Sequence, residues 1–247
     1  MSDSMNASLG GAGSRVEQLV NTVTTLIHGI FDDLSTLAVT VENAMTTSQP
    51  GQYADMVWAA LETPGRAILD GRRNVSVAGV GFASEYGQVL PSQPWMAWWV
   101  ERDGTVKQKH HTLNPSSDAY YDYRHAEWFD KPRRTDERCV SGPYIDSWGT
   151  DDFTITAAMP VRVHGSFAGV VAADLAVRRL ERAISAQLRA IDTPAVLVNG
   201  EDRVVASGIP HLSTGLRMNP RVGGGERQPE LARFATAYGW AVVLLSS

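Results

Sequence analysis

From Val16 to Val41 apolar residues recur at alternating spacings of four and three: Val16, Val20, Val23, Ile27, Ile30, Leu34, Leu37 and Val41. That is a seam with a period of about 3.5 residues, the mark of a long amphipathic helix. Leu19, Leu26 and Phe31 widen the stripe, and Ser14 with Glu17 has the form of a capping box at its start. The pattern predicts a helix over 14–50, fading near Thr46, preceded by a small, polar and disordered stretch at 1–13. The seam serves either packing along one domain or pairing with a second copy of the chain. A second helix is expected from Tyr53 to Leu69, kinked near Pro64-Gly65.

The pattern then changes to short apolar runs separated by turn residues. Val75–Phe82, Trp95–Glu101 and Thr105–Thr112 read as strands, the last two joined at Asp103-Gly104. Phe153–Val163 and Ser166–Leu175 form a second hairpin through His164-Gly165. Val177, Leu180, Ile184, Leu188 and Ile191 mark another helix. After it come Ala195–Val198, the turn Asn199-Gly200, Arg203–Ala206 and a closing strand from Trp240 to Leu245. Gly223-Gly224-Gly225 reads as a linker. Hairpin-joined strands predict an α+β fold with antiparallel sheets. The Gly79-Val80-Gly81 run lacks the third glycine and following helix of a dinucleotide fingerprint, so it predicts a strand approached closely by another backbone.

Composition narrows the function classes. The 247 residues carry a formal net charge of −5 and no basic stripe, which argues against nucleic-acid binding. The single cysteine, Cys139, excludes an internal disulfide and a cysteine-based metal cluster. No run approaches the ~18 apolar residues of a membrane span, and the first residues lack the form of a secretory signal. A cytoplasmic protein without membrane contact is the simplest expectation. The common hydrolase, P-loop and metal-binding motifs are missing, so neither catalysis, a cofactor nor a metal is expected.

The chemistry concentrates between Tyr120 and Asp174. Tyr120, Tyr121, Tyr123, Trp128, Phe129, Tyr144 and Trp148 supply aromatic faces, with Trp98 and Trp99 in the preceding hairpin. Asp146 lies two residues after Tyr144, on the same side if the segment is a strand. Asp174 ends the apolar run Val170-Val171-Ala172-Ala173, where a carboxylate is costly unless paired. Aromatic faces with a carboxylate suit an ammonium group. The plainer reading is ordinary aromatic core with Asp174 capping the helix that follows.

The sequence YDYRHAEWFDKPR…GPYID…FTITAAMPV…GSFAGVVAADL resembles the double Cache (PDC-type, PAS-like) sensor domains, in particular their amino-acid- and amine-binding members. The resemblance implies a ligand-binding PAS-like module over 51–176 and a connecting helix with a second, smaller module over 177–247. It also implies a divided ligand site. Tyr144, Asp146 and Asp174 match the half that holds an α-amino group. In the carboxylate half Trp128 matches and Phe129 replaces a tyrosine, while Ala126 stands where an arginine is usual. Arg124 or His125 from the adjacent turn would have to substitute.

The expected function is therefore recognition of an amine, quaternary amine or amino acid through Trp99, Tyr121, Arg124, Trp128, Phe129, Tyr144, Asp146 and Asp174. The signal would pass to a downstream regulatory protein, with a homodimer formed through the first helix. The alternatives are an enzyme using Asp146 or His125 as base in the same pocket, and a dimerisation scaffold with a vestigial one.

Overall fold

The computed structural model describes residues 2–49, 51–70, 77–145, 153–218 and 230–246, with side chains from residue 13 onward. The first helix, α1, spans Ser2–Thr47. It therefore begins ahead of Ser14 and takes up most of the stretch expected to be disordered. No proline interrupts those residues, and extending a formed helix costs far less than nucleating one. Seam residues Val16, Val23, Ile27, Ile30, Leu34, Leu37 and Val41 are all buried, together with Leu19 and Phe31. The seam is thus occupied within its own chain, and any second copy would have to meet another face of the helix.

The second helix, α2, spans Tyr53–Asp70 and runs through Pro64, burying Val57, Leu61, Gly65 and Leu69. The strands that follow are β1 (Val77–Ser84), β2 (Met96–Arg102) and β3 (Thr105–Gln108). The turn between β2 and β3 has Asp103 and Gly104 at positive φ, as the Asp-Gly pair predicts. A single 3-10 turn at Tyr123–His125 leads into α3 (Glu127–Thr135). Then come β4 (Cys139–Ile145), β5 (Phe153–Val163) and β6 (Ser166–Ala176). His164 and Gly165, both at positive φ, close the β5–β6 hairpin. These six strands form one sheet in the order β3-β2-β1-β6-β5-β4. β6 runs directly into α4 (Val177–Ala190), which buries Val177, Leu180, Ile184 and Leu188.

The second sheet contains β7 (Ala195–Val198), β8 (Val204–Ser207), β9 (Glu230–Ala235) and β10 (Ala241–Leu245), in the order β8-β7-β10-β9. Asn199 fixes its first turn, its side-chain oxygen accepting from the Glu201 and Arg203 amides, each at 2.9 Å. The core of this sheet is Val196, Val198, Ile209, Ala241, Val243 and Leu245. The α+β class and the plan of a long helix with two antiparallel sheets are as expected.

Contacts divide the chain into two compact units. One comprises Gly29–Ser141 and Ile155–Ala176; the other comprises Met1–His28, Gly142–Thr154 and Val177–Ser247. The expected strand Thr105–Thr112 stops at Gln108, and β9 was not anticipated. The glycine-rich 223–225 run lies outside the described residues. Among the described residues no helix is long and apolar enough to cross a membrane.

Candidate functional site

The site is organised by two glycines on a central strand. β1 pairs with β2 on one side and β6 on the other, placing Gly81 opposite Trp98 and Ala172, and Gly79 opposite Asp174. A Cβ at Gly81 would lie 2.1 Å from the Ala97 carbonyl oxygen and 2.7 Å from the Trp98 ring. One at Gly79 would lie 3.0 Å from Trp98 Nε1 and 3.1 Å from Asp174 Oδ2. The two glycines leave a trough in which the Trp98 indole lies across β1, with Asp174 beside it. This is the close backbone approach expected of the Gly-Val-Gly run.

Around Trp98 the rings close a circuit. Trp98 meets His111 edge-on at 6.4 Å between centroids, and His111 stacks on Tyr121 at 4.9 Å. Tyr121 lies 6.2 Å from Tyr123, which lies 6.2 Å from Trp128 at a shallow angle. Trp128 returns to Trp98 at 6.0 Å. Tyr123 is anchored by its hydroxyl, which donates to the Ser84 carbonyl at 2.7 Å, and burial raises its pKa. Phe129 backs the circuit edge-on, 5.1 Å from Tyr123 and 5.8 Å from Phe167. Aromatic pairs at these separations favour one another beyond their burial.

Two polar groups border the circuit. Asp174 sits inside β6 rather than at a helix cap, and its Oδ1 accepts from the Thr156 hydroxyl at 2.8 Å. His111 is held neutral: burial, then Lys109 and His110, lower its pKa to about 3. No imidazolium stands among these rings near neutral pH.

The expected site residues separate accordingly. Tyr121, Trp128 and Asp174 lie at the trough and its ring circuit, and Phe129 lies behind it. Trp99 falls on the opposite face of β2, because adjacent strand residues point to opposite sides. It packs on Trp58 of α2 at 4.7 Å and over Gly65, so its neighbour Trp98 occupies the position at the circuit. Arg124 is engaged elsewhere. Its Nε is 3.2 Å from Glu85 Oε1 without the alignment of a hydrogen bond, and its guanidinium covers Tyr86 at 5.3 Å. His125 is exposed and bonded to Asp122 at 2.7 Å. Neither therefore stands in for the arginine missing at Ala126, which caps α3 with its carbonyl accepting from the Phe129 and Asp130 amides. Tyr144 is half-buried on β4, and Asp146 lies outside the described residues.

Of the rings in the circuit, His111 was not among the sequence candidates, and Trp98 was named there beside Trp99 but Trp99 was the one chosen. Trp98 had a readable signal, since strand alternation requires one of two adjacent tryptophans to face each side. His111 had none, because its neighbours come from β2 and from the segment before α3.

Cys139 is buried, with Ser141 Oγ at 3.9 Å, and burial pushes its thiol up to about 11. A thiol nucleophile at neutral pH needs the opposite shift. Labelling with a water-soluble thiol reagent at pH 7 is expected to be at least ~10-fold slower in the folded chain than in urea. Equal rates would contradict this burial. Among the described residues no cluster of histidine, cysteine and carboxylate side chains could hold a metal ion.

This arrangement of helix, six-stranded sheet, connecting helix and four-stranded sheet is that of the PDC sensor domains. Residues 72–182 match the model of the family described as methyl-accepting chemotaxis protein-like, first PDC sensor domain. No curated protein matches the chain in sequence. Among solved structures, Methyl-accepting Chemotaxis protein X is 15% identical with a TM-score of 0.69, over 98% of each chain. The ligand-binding domain of the amino-acid chemoreceptor PctC of Pseudomonas aeruginosa, in complex with GABA, is 17% identical with a TM-score of 0.58, covering 95% of this chain and 97% of that one. The ligand-binding domain of Mlp24 with asparagine is 16% identical with a TM-score of 0.61, covering 98% and 94%. The chain has the fold of the sensor ligand-binding domains of chemoreceptors.

Proposed function

We propose that this domain recognises a small molecule carrying a protonated amino group, an amine or an amino acid, at the ring circuit of its first module. The bound state is passed to a downstream signalling protein. The observation that carries the reading is Asp174: a carboxylate at the end of an apolar strand, oriented by Thr156, beside Trp98 and above a glycine that leaves room there. A carboxylate next to aromatic faces stabilises an ammonium group by charge and by the ring quadrupole together. The neutral His111 adds no opposing charge. The GABA and asparagine complexes of similar folds support ligands of this class. With Arg124 held by Glu85, the side that would grip a ligand carboxylate is the less developed one, which favours amines over α-amino acids.

Thermal denaturation with a panel of amino acids, polyamines and betaines tests the reading. A ligand at about a hundred times its Kd adds ~2.7 kcal/mol of stability, a shift of a few degrees. Asp174→Asn keeps the side-chain shape and an acceptor for Thr156 while removing the charge, and is expected to abolish the shift with little change in the unliganded Tm. A shift that survives this substitution, or a panel in which nothing stabilises the protein, overturns the proposal.

A further inference from the structure

Residues 109–122 run without regular structure from the end of β3 to the 3-10 turn at Tyr123. A connection of that length in a compact domain is uncommon unless it binds or covers something. None of its residues is buried, yet the rings on which it rests, Trp98 and Tyr123, are only 4% and 1% exposed. The loop is braced on itself. His111 stacks on Tyr121 at 4.9 Å, and the Tyr121 amide donates to the Thr112 carbonyl at 2.9 Å, which closes a neck. Beyond the neck the Ser117 amide donates to the Asn114 carbonyl and the Tyr120 amide to the Ser117 carbonyl, each at 3.0 Å. Towards the body the loop sets ring edges: His111 lies edge-on to Trp98 at 6.4 Å, and Tyr121 lies tilted to Tyr123 at 6.2 Å. The Lys109 amide, donating to the Trp98 carbonyl at 2.8 Å, marks where the chain leaves the sheet.

We infer that 109–122 is a lid, a self-braced flap that lifts from Trp98 and Tyr123 to admit a ligand to the ring circuit and settles back over it. This gate rests on the amine reading of the same site and adds how the ligand enters. A small molecule lying on the face of Trp98 beside Asp174 needs a cover removed, since that indole has almost no contact with solvent. Trp98 is set in β2, which is paired on both sides, and Tyr123 is fastened by its hydroxyl to the Ser84 carbonyl. Lifting the loop breaks edge-on and tilted ring contacts and leaves its brace intact. The closed position also carries a cost that opening removes. His111 Nδ1 is shut off from water there without a hydrogen-bond partner, and it regains water when the flap lifts. Segments that gate a site are drawn from such parts of low local stability.

Amide hydrogen exchange followed by NMR on the full chain at pH 7 tests the lid. Without ligand, the Lys109 amide is expected to exchange at least about 100-fold faster than the amides of β1, because lifting the flap frees it without unfolding the sheet. His111→Phe keeps the ring stack and removes the unpaired nitrogen, and is expected to slow Lys109 exchange by about fivefold. Tyr121→Ala removes the brace and is expected to speed it by about tenfold. GABA, ethanolamine and putrescine are the probes for the gate: any of them that raises the Tm is expected to slow Lys109 exchange in the wild type and not in Asp174→Asn. Lys109 exchange as slow as that of β1, faster in His111→Phe, or unchanged by a probe that raises the Tm, overturns the lid and leaves the amine reading intact. If none of the probes raises the Tm, the amine reading falls and the gate falls with it, whatever the exchange rates.

Discussion

Gly81→Ala is expected to destabilise the first module by at least about 3 kcal/mol, and to leave much of the protein insoluble. The added methyl would sit 2.1 Å from the carbonyl oxygen of Ala97 and 2.7 Å from the Trp98 ring. The first obstacle is backbone in the adjoining strand, which no rotamer change can move. Relief requires β1 and β2 to part, at the centre of a six-stranded sheet where Gly81 is also paired with Ala172 of β6. The same substitution at Gly29 provides the control. Gly29 lies within α1, and a methyl there meets nothing within 4 Å. Alanine at that position should stabilise by ~0.5–1 kcal/mol, because glycine loses more backbone entropy in a helix. Urea titrations of both variants settle the matter. Equal effects from the two substitutions would mean that β1 tolerates a side chain at Gly81 and that the trough beneath Trp98 is not tightly fixed.

The contrast shows how far β1 depends on its glycines. A strand interior is a poor place for glycine on propensity alone. Gly79 and Gly81 are tolerated in the most heavily paired strand because two side chains, Trp98 and Asp174, use the space they leave. Local preference is sacrificed at this point, and the compensation is the indole and carboxylate lying side by side.

The sequence carried the parts of the structure that depend on local chemistry. Phe153–Val163 and its hairpin partner were legible because two long apolar runs flank His164-Gly165, a pair able to take positive φ. The long helix was legible from its seam, and the Asn199 turn from an asparagine whose side chain copies a backbone acceptor. What failed was local order with weak propensity or meaning supplied by distant neighbours. α3 is short, strongly charged and contains Pro132, so no helix was expected there. β9 alternates only between exposed and half-buried positions and lacks a buried face to give it away. The seam of α1 fitted a dimer as well as an intrachain interface, since both bury the same stripe, and only tertiary packing distinguishes them. In the ring circuit and its trough, Trp128 and Asp174 had been singled out by motif and pattern. The choice of Trp98 over Trp99 required knowing which face of β2 carries α2.

His111 is also expected to make the folded state sensitive to acid in a window set by its two pKa values. In the unfolded chain its imidazole takes a proton near the ordinary value of about 6.5. In the folded chain burial, followed by Lys109 and His110, holds that value to about 3. Below pH 6.5 the unfolded state therefore binds one proton more than the folded state, and stability falls as the pH falls. The slope from this residue is up to about 1.4 kcal/mol per pH unit until the pH nears 3, and it vanishes above about pH 7. His111→Gln removes the titrating group. Between pH 7 and pH 4.5 the wild-type chain should accordingly lose about 2 to 3 kcal/mol more than the variant, measured by urea denaturation at each pH. Carboxylates titrating in the same range act on both proteins and cancel in the difference; parallel curves would show that the imidazole is solvated and free to charge. The expected acid sensitivity and the proposed recognition have one physical origin. Packing between Tyr121 and Trp98 excludes the water that would solvate an imidazolium, which keeps positive charge off His111 and, in the proposed function, leaves the rings and Asp174 to a cationic ligand.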